Sequence, residues 1–374
     1  MQDGGLGLGL INLTFFGGLS LVGFLAIGHT CHATGARTYR EAWERTVGVF
    51  PAIVDVAVLL ECLITGVGYT ILALDYTSTG LRGLFGYEGG PHLRAKLAAT
   101  MTALVLVPLC LRPNLDSLKV TSQVGNFIML YTILYVILDF GFGEEGGPAA
   151  EVASFSGDRE GVFRSIVVMT SAYIAHYSAP NFMADLSESS TRPLASFSAS
   201  ALVAFTASLV AYCAFAAAGY LRFGPTGVLG NILLNYEAGH RIMVGWLSMA
   251  PMLLLTFPIA FKPARDTVAK ALRLREPRGG EACAATAWSA ATGLLVVLTV
   301  IAGVVFEDIS MVLAFRGALL GCPISFVMPG LMLWNCPAGG SVKDPALLKP
   351  IAATLIAVGV LAGLLGLYCT CMAL

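Results

Sequence analysis

FRSIVVMTSAYIAHYSAPNFMADLSESSTRP, residues 163–193, is the stretch whose reading decides the fold. It opens as an apolar run long enough to enter a bilayer. Ser171, Tyr173, His176, Tyr177, Ser178, Pro180 and Asn181 then interrupt it, and it closes in an acidic, hydroxyl-rich loop. Hydrocarbon offers no partner to a backbone N–H or C=O. Irregular backbone therefore survives at that depth only where it is buried in protein or lines a cavity. Pro180 has no N–H, so the carbonyl of His176 is expected to lose its helical partner. Pro180 also biases Ala179 away from helical angles. A half-helix beginning after such a break would turn its positive end toward an anionic group. The competing reading is one proline-kinked helix whose histidine bonds a neighbouring helix.

The rest of the chain supplies the setting. Its 374 residues are 56% hydrophobic and only 12% charged, against about 25% charged in a soluble domain. That composition predicts an all-α polytopic membrane protein, multi-pass and integral. With 22 Lys+Arg against 23 Asp+Glu, the balance gives no sign of a nucleic-acid partner. Nine cysteines are scattered. None has metal-ligand or redox spacing, and the Cys369-x-Cys371 pair is too short for a zinc signature. No metal and no cofactor are expected, apart from a transported ion.

Ten apolar segments are near the length that spans about 30 Å of hydrocarbon. They lie near 6–28, 52–76, 97–111 (short, with an alternative start nearer Leu93), 123–141, 163–184, 197–221, 242–261, 284–305, 309–334 and 350–373. Basic residues number 14 in the loops after odd-numbered segments and 7 after even-numbered ones. The positive-inside rule then puts the odd loops, including the basic run after Lys262, in the cytoplasm. The acidic loop with Glu144, Glu145, Glu151, Asp158 and Glu160 faces outward. This orientation makes the first segment run inward with only MQDGG before it, so the sequence is expected to lack a preceding helix. A signal peptide does not explain those five residues, which hold no basic group.

Individual residues stand out against this background. Glu61 sits about three turns into the second segment, where a carboxylate is costly and marks either a pathway or a paired site. Asp55 and Asp75 are nearer its ends and read as interfacial. Arg316, a third of the way into the ninth segment, is open to three readings: a substrate carboxylate, Glu61, or snorkelling to the interface. Gly317 and Gly321 have the small-xxx-small spacing of close helix packing, and Gly66 and Gly68 before Tyr69 suit it too. Thr256 precedes Pro258, which frees the carbonyl of Leu254. A cation site and a simple kink are both compatible with that pair. Asp116 or Ser117 would cap the fourth segment. The Ala- and Ser-rich sixth segment reads as a packed helix with little chemistry. The apolar patch in residues 222–241 reads as a short interfacial helix.

Several stretches, taken in order, resemble the amino acid/auxin permease family of transmembrane amino acid transporters. GLGLGLINLTFFGGLSLVGF with HATGARTYREAWERTVG is similar to that family's second helix and the stretch after it. PAIVDVAVLLECLITGVGYTILALD resembles its third, LDSLKVTSQVG the turn into its fifth, and AYIAHYSAPNFMADL its sixth. GYLRFG, NILLNY and TFPIAFKPARD resemble patterns in and between helices seven and eight. The resemblance implies ten transmembrane helices of an eleven-helix, inverted-repeat (5+5) fold. Residues 1–374 would form a single transporter domain lacking the first helix. It also implies proton- or sodium-coupled transport of amino acids. The substrate-side residues would be Ser171, Tyr173, His176, Tyr69 and Arg316, and the ion-coupling residues Thr256 and Glu61. Two other classes stay in view. One is a membrane sensor that keeps the scaffold without transport. The other is a membrane enzyme, which has no zinc cluster, Gly-x-Ser-x-Gly or nucleotide loop to support it. The membrane itself, plasma or vacuolar, is left open.

Overall fold

The computed structural model describes residues 4–86, 90, 92–112, 118–143, 152–155, 159–274, 282–337 and 345–372. The expected cap at Asp116 or Ser117 and most of the acidic loop lie outside them. Among the described residues the regular structure is helical throughout: α1 (Gly5–Thr34), α2 (Tyr39–Thr46), α3 (Ala52–Phe85), α4 (Leu93–Cys110), α5 (Leu118–Phe142), α6 (Arg159–Ala172), α7 (Ala179–Ser189), α8 (Pro193–Gly227), α9 (His240–Ala271), α10 (Ala282–Val305), α11 (Ile309–Trp334) and α12 (Pro345–Met372). Nine of these are long and apolar enough to cross a membrane. The fifth apolar segment is the exception. It is split into α6 and α7, so ten apolar segments correspond to nine single spans and one broken one.

Two compact units are present, Met1–Ala57 with Ala149–Pro225 and Leu313–Leu374, and Val58–Pro148 with Thr226–Val312. Lipid tails are as apolar as leucine, so close packing and hydrogen bonds hold such helices together. In the first unit Phe16, Val167, Ala314, Phe326 and Leu355 form a core. Gly317 lets α11 approach the backbone carbonyl of Val167 so closely that a Cβ would collide with it. In the second unit Leu74, Leu106, Phe257, Phe261 and Val296 are packed together. There Gly66 faces Thr299 and Phe257, and a Cβ would come within 2.9 Å of the threonine. Both observations agree with the packing role expected of these glycines.

Prolines shape three helices differently. α9 stays continuous through Pro251, Pro258 and Pro263. α4 widens to a π turn over Thr102–Leu106, just before Pro108. α11 carries two π turns, Gly317–Gly321 and Pro323–Val327, directly after Arg316. Pro329 has no N–H for the carbonyl of Ser325, and that carbonyl instead faces α1 at Gly23, where only a glycine fits. α1 ends on Gly35 at φ 69°, a left-handed cap that costs glycine nothing. Thr38 then caps α2 by accepting from the Glu41 N–H at 3.1 Å. Tyr39 donates to the carbonyl of Ile324 at 2.8 Å.

Other expectations fare unevenly. Asp55 pairs with Arg40, and Asp75 with Arg94 at 2.8 Å. The apolar patch at 232–235 is a single 3-10 turn, too short for an interfacial helix. It is tied down by Trp246, whose Nε1 donates to the Leu233 carbonyl at 3.1 Å.

Candidate functional site

The break between α6 and α7 has a definite form. Residues 173–175 leave helical geometry, His176–Ser178 makes one 3-10 turn, and α7 begins at Ala179 with Pro180 in its first turn. Proline is at home in a first turn, where its missing N–H is not needed. Two local expectations are thereby corrected. Ala179 is helical, at φ −54° and ψ −40°, and the His176 carbonyl accepts the Ala179 N–H. The restriction that proline puts on its predecessor is overridden, because the chain has already turned. The polar groups left over lie earlier. Among the described residues, the N–H groups of Ile174 and Ala175 make no backbone hydrogen bond.

A cavity of about 660 Å³ opens on this break within the first unit. Residues 172–175 form one side. Phe24 of α1, Phe182, Asp185 and Leu186 of α7, and the face of α8 from Phe197 to Tyr212 complete it. α8 contributes Ser200, Ala204, Ser208 and Tyr212 at four-residue intervals, which places them on one helix face. The sixth segment therefore lines a cavity, contrary to its reading as a featureless packed helix. Its Ala and Ser content hid the stripe, and the signal was the spacing of Phe197, Phe205 and Tyr212. The rings order one another. Phe24 stacks on Phe197 at 5.2 Å and 2°. Tyr173 stacks on Phe205 at 6.2 Å and 9°, and meets Tyr212 edge-on at 5.3 Å.

The residues singled out from sequence separate here. Tyr173 lines the cavity, and its hydroxyl is 3.4 Å from the Leu13 carbonyl. Tyr212 donates to the Ala172 carbonyl at 3.2 Å. His176 is 0% exposed and stands behind the wall. Its Nε2 is 2.9 Å from the Ser20 carbonyl, with Phe24 and Phe205 edge-on at 5.8 and 6.4 Å. A carbonyl only accepts, so Nε2 carries the proton. Among the described residues Nδ1 has no hydrogen-bond partner. Ser171 is buried and bonds its own helix at the Val168 carbonyl, 2.7 Å away. Arg316 lies near enough to act electrostatically on the Tyr212 hydroxyl.

The second unit holds the other three. Tyr69 sits beside Thr70, Leu254 and Phe257 around a crevice of about 10 Å³, room for little more than a water. Thr256 donates to the Met252 carbonyl of its own helix at 2.8 Å, the geometry of the simple-kink reading. Glu61 is 0% exposed. Thr65 donates to its backbone carbonyl at 2.8 Å and stands 3.5 Å from its Oε1.

Broken helix, flanking cavity and apolar spans define a polytopic membrane protein of transporter type. The family described as transmembrane amino acid transporter protein matches residues 1–372, and the chain belongs to that family. Vacuolar amino acid transporter 7 of Saccharomyces cerevisiae is 27% identical over 223 residues, 58% of this chain and 43% of that protein. Vacuolar amino acid transporter 5 of Schizosaccharomyces pombe is 23% identical over 335 residues, 88% and 77% of the two chains. Human solute carrier family 38 member 10 is 22% identical over 75% of this chain, which spans a quarter (25%) of that protein. The crystal structure of MhsT in complex with L-phenylalanine shares the fold. Its TM-score is 0.59 at 12% identity, over 99% of this chain and 92% of that one. The chain thus spans less than half of the first of these relatives. Membership of a transporter family also removes the enzyme reading.

Proposed function

We propose that this protein carries an amino acid across a lipid bilayer by secondary active transport, driven by a proton or sodium gradient. The observation that carries the reading is the break after Ala172, where Ile174 and Ala175, whose N–H groups make no backbone hydrogen bond among the described residues, line a cavity in a chain of an amino acid transporter family. Such groups, with the N-terminus of α7 beside them, suit a substrate carboxylate. Tyr173 touches the substrate from the break. Ser171 and His176 hold the break in shape from behind. Arg316 and Tyr69 remain substrate-side candidates, and Glu61 and Thr256 candidates for ion coupling.

Uptake of labelled amino acids by the purified protein in liposomes, under an imposed pH or sodium gradient, tests this. Accumulation that collapses when the gradient is dissipated is the expected result. No uptake under either gradient, with no amino acid raising the protein's melting temperature, rejects the reading.

A further inference from the structure

The walls of the cavity bear on which amino acid enters it. Phe24, Phe197, Phe205, Tyr173 and Tyr212 present rings to one space. Their mutual stacking holds those rings in place. Apart from the tyrosine hydroxyls, the polar side chains on that wall are few: Ser200 and Ser208 on α8, and Asp185 on α7. Tyr212 spends its hydrogen on the Ala172 carbonyl, so the rings offer faces and edges more than donors. A small or polar side chain would leave the half-buried Phe205 and Tyr212 rings in contact with water. A large apolar one removes them from it, and a ring adds stacked or edge-on contacts. The carboxylate of Asp185 opposes an acidic side chain in the same space. The cavity's roughly 660 Å³ is of ordinary size for a small-molecule site, so wall chemistry sets the preference here more than volume does.

We propose that this site selects amino acids with large apolar side chains, aromatic ones above all, the ring lying against Phe205 and Phe24 and the charged end at Ile174 and Ala175. The proposal rests on the transport reading above and goes beyond it in naming the substrate class. Apolar pockets discriminate roughly 10- to 200-fold per methylene-sized difference. A preference for phenylalanine over alanine on the order of a hundredfold in kcat/KM is therefore expected.

The test is uptake of phenylalanine, leucine, alanine, glutamate and lysine by the full chain in liposomes, with melting temperatures read alongside. The wild type should favour phenylalanine, then leucine. Phe205→Ala should shrink the phenylalanine-to-alanine ratio by on the order of tenfold, and Phe205→Leu should keep part of it. If Phe205→Ala does not fold, Ser208→Phe, which fills the cavity from the same α8 wall one turn on, should shift the ratio the same way. Wild-type preference for alanine, glutamate or lysine overturns the selectivity and leaves transport standing. So does a ratio that neither variant moves, the outcome expected if a lipid chain occupies the groove. Absence of both uptake and thermal stabilisation with every amino acid overturns the transport reading, and the selectivity with it.

Discussion

Arg265 closes the end of a helix that is not its own: its Nη1 donates at 3.0 Å to the carbonyl of Cys110, the last residue of α4. The same nitrogen reaches the Arg112 carbonyl at 3.0 Å, and the guanidinium lies 4.9 Å over Trp288 of α10. Helix ends leave carbonyls without partners, and one planar, permanently charged group here serves two of them while stacking on an indole. Lysine has neither the fork nor the plane. Arg265→Lys is expected to destabilise the protein by about 1–3 kcal/mol, read as a lower melting temperature in detergent. Full stability in Arg265→Lys would show that the carbonyls find other partners.

Gly317→Ala should be among the most damaging alanine substitutions in the chain, because its Cβ would occupy the space of the Val167 carbonyl. Overpacking at such a site costs about 1–3 kcal/mol or more. Gly68→Ala is the matched comparison, since its Cβ would meet only Ile309 Cδ1 at 3.4 Å. Comparable yields of monodisperse protein from the two variants would argue that α11 can shift away from α6.

At His176 the prediction separates a donor from a ring. His176→Gln can still give an N–H toward the Ser20 carbonyl, whereas His176→Ala loses that bond, worth about 0.5–1.5 kcal/mol, together with the packing of the buried ring. The glutamine variant should therefore melt above the alanine variant and keep more uptake. Equal melting temperatures would mean that water or a neighbouring group replaces the imidazole.

For Glu61, the side chain proposed to couple transport to an ion, Glu61→Gln keeps the shape and removes the charge. Gradient-driven accumulation should fall at least tenfold while exchange of internal for external substrate persists. Thr256→Ala is expected to matter less, since its hydroxyl already bonds Met252. Undiminished accumulation by Glu61→Gln would remove the carboxylate from coupling.

Orientation is testable by a cysteine placed at residue 273, just past α9. In the cytoplasmic arrangement proposed from the basic loops, an impermeant maleimide added outside should leave it unlabelled until the membrane is opened. Labelling of intact cells would invert the topology.

Much of this architecture was legible beforehand because a bilayer imposes length and polarity on each span. Hence 309–334 was bounded correctly, and the interruption at 171–181 was visible as polar residues in an apolar run. The details of that break were not. By sequence alone Pro180 deprives the His176 carbonyl of its partner, but the turn at 173–175 places it in the first turn of α7, where a proline suits. Ser171 and Thr256 illustrate a wider difficulty. A hydroxyl in a membrane helix can always bond the turn below it, so its presence in sequence does not reveal which way it faces. The aromatic wall on α8 is hidden in the sequence because alanine and serine dominate its composition, while three rings at near-helical spacing determine its surface.

The paired π turns of α11 have a consequence for how this helix tolerates change in length. Each wide turn accommodates about one more residue than an α turn of the same rise, and each residue advances the helix by roughly 100°. Residues 317–327 thus act as a slack link between the half bearing Arg316 and the half ending at Trp334. Loss of one residue there can be absorbed by tightening a π turn to α, leaving both flanking faces in register. The same deletion within the unbroken middle of α12 would rotate everything beyond it away from its neighbours. Tolerance of single-residue deletions should therefore peak inside α11, in the depth of the membrane, where a gap in a helix would ordinarily be least forgiven.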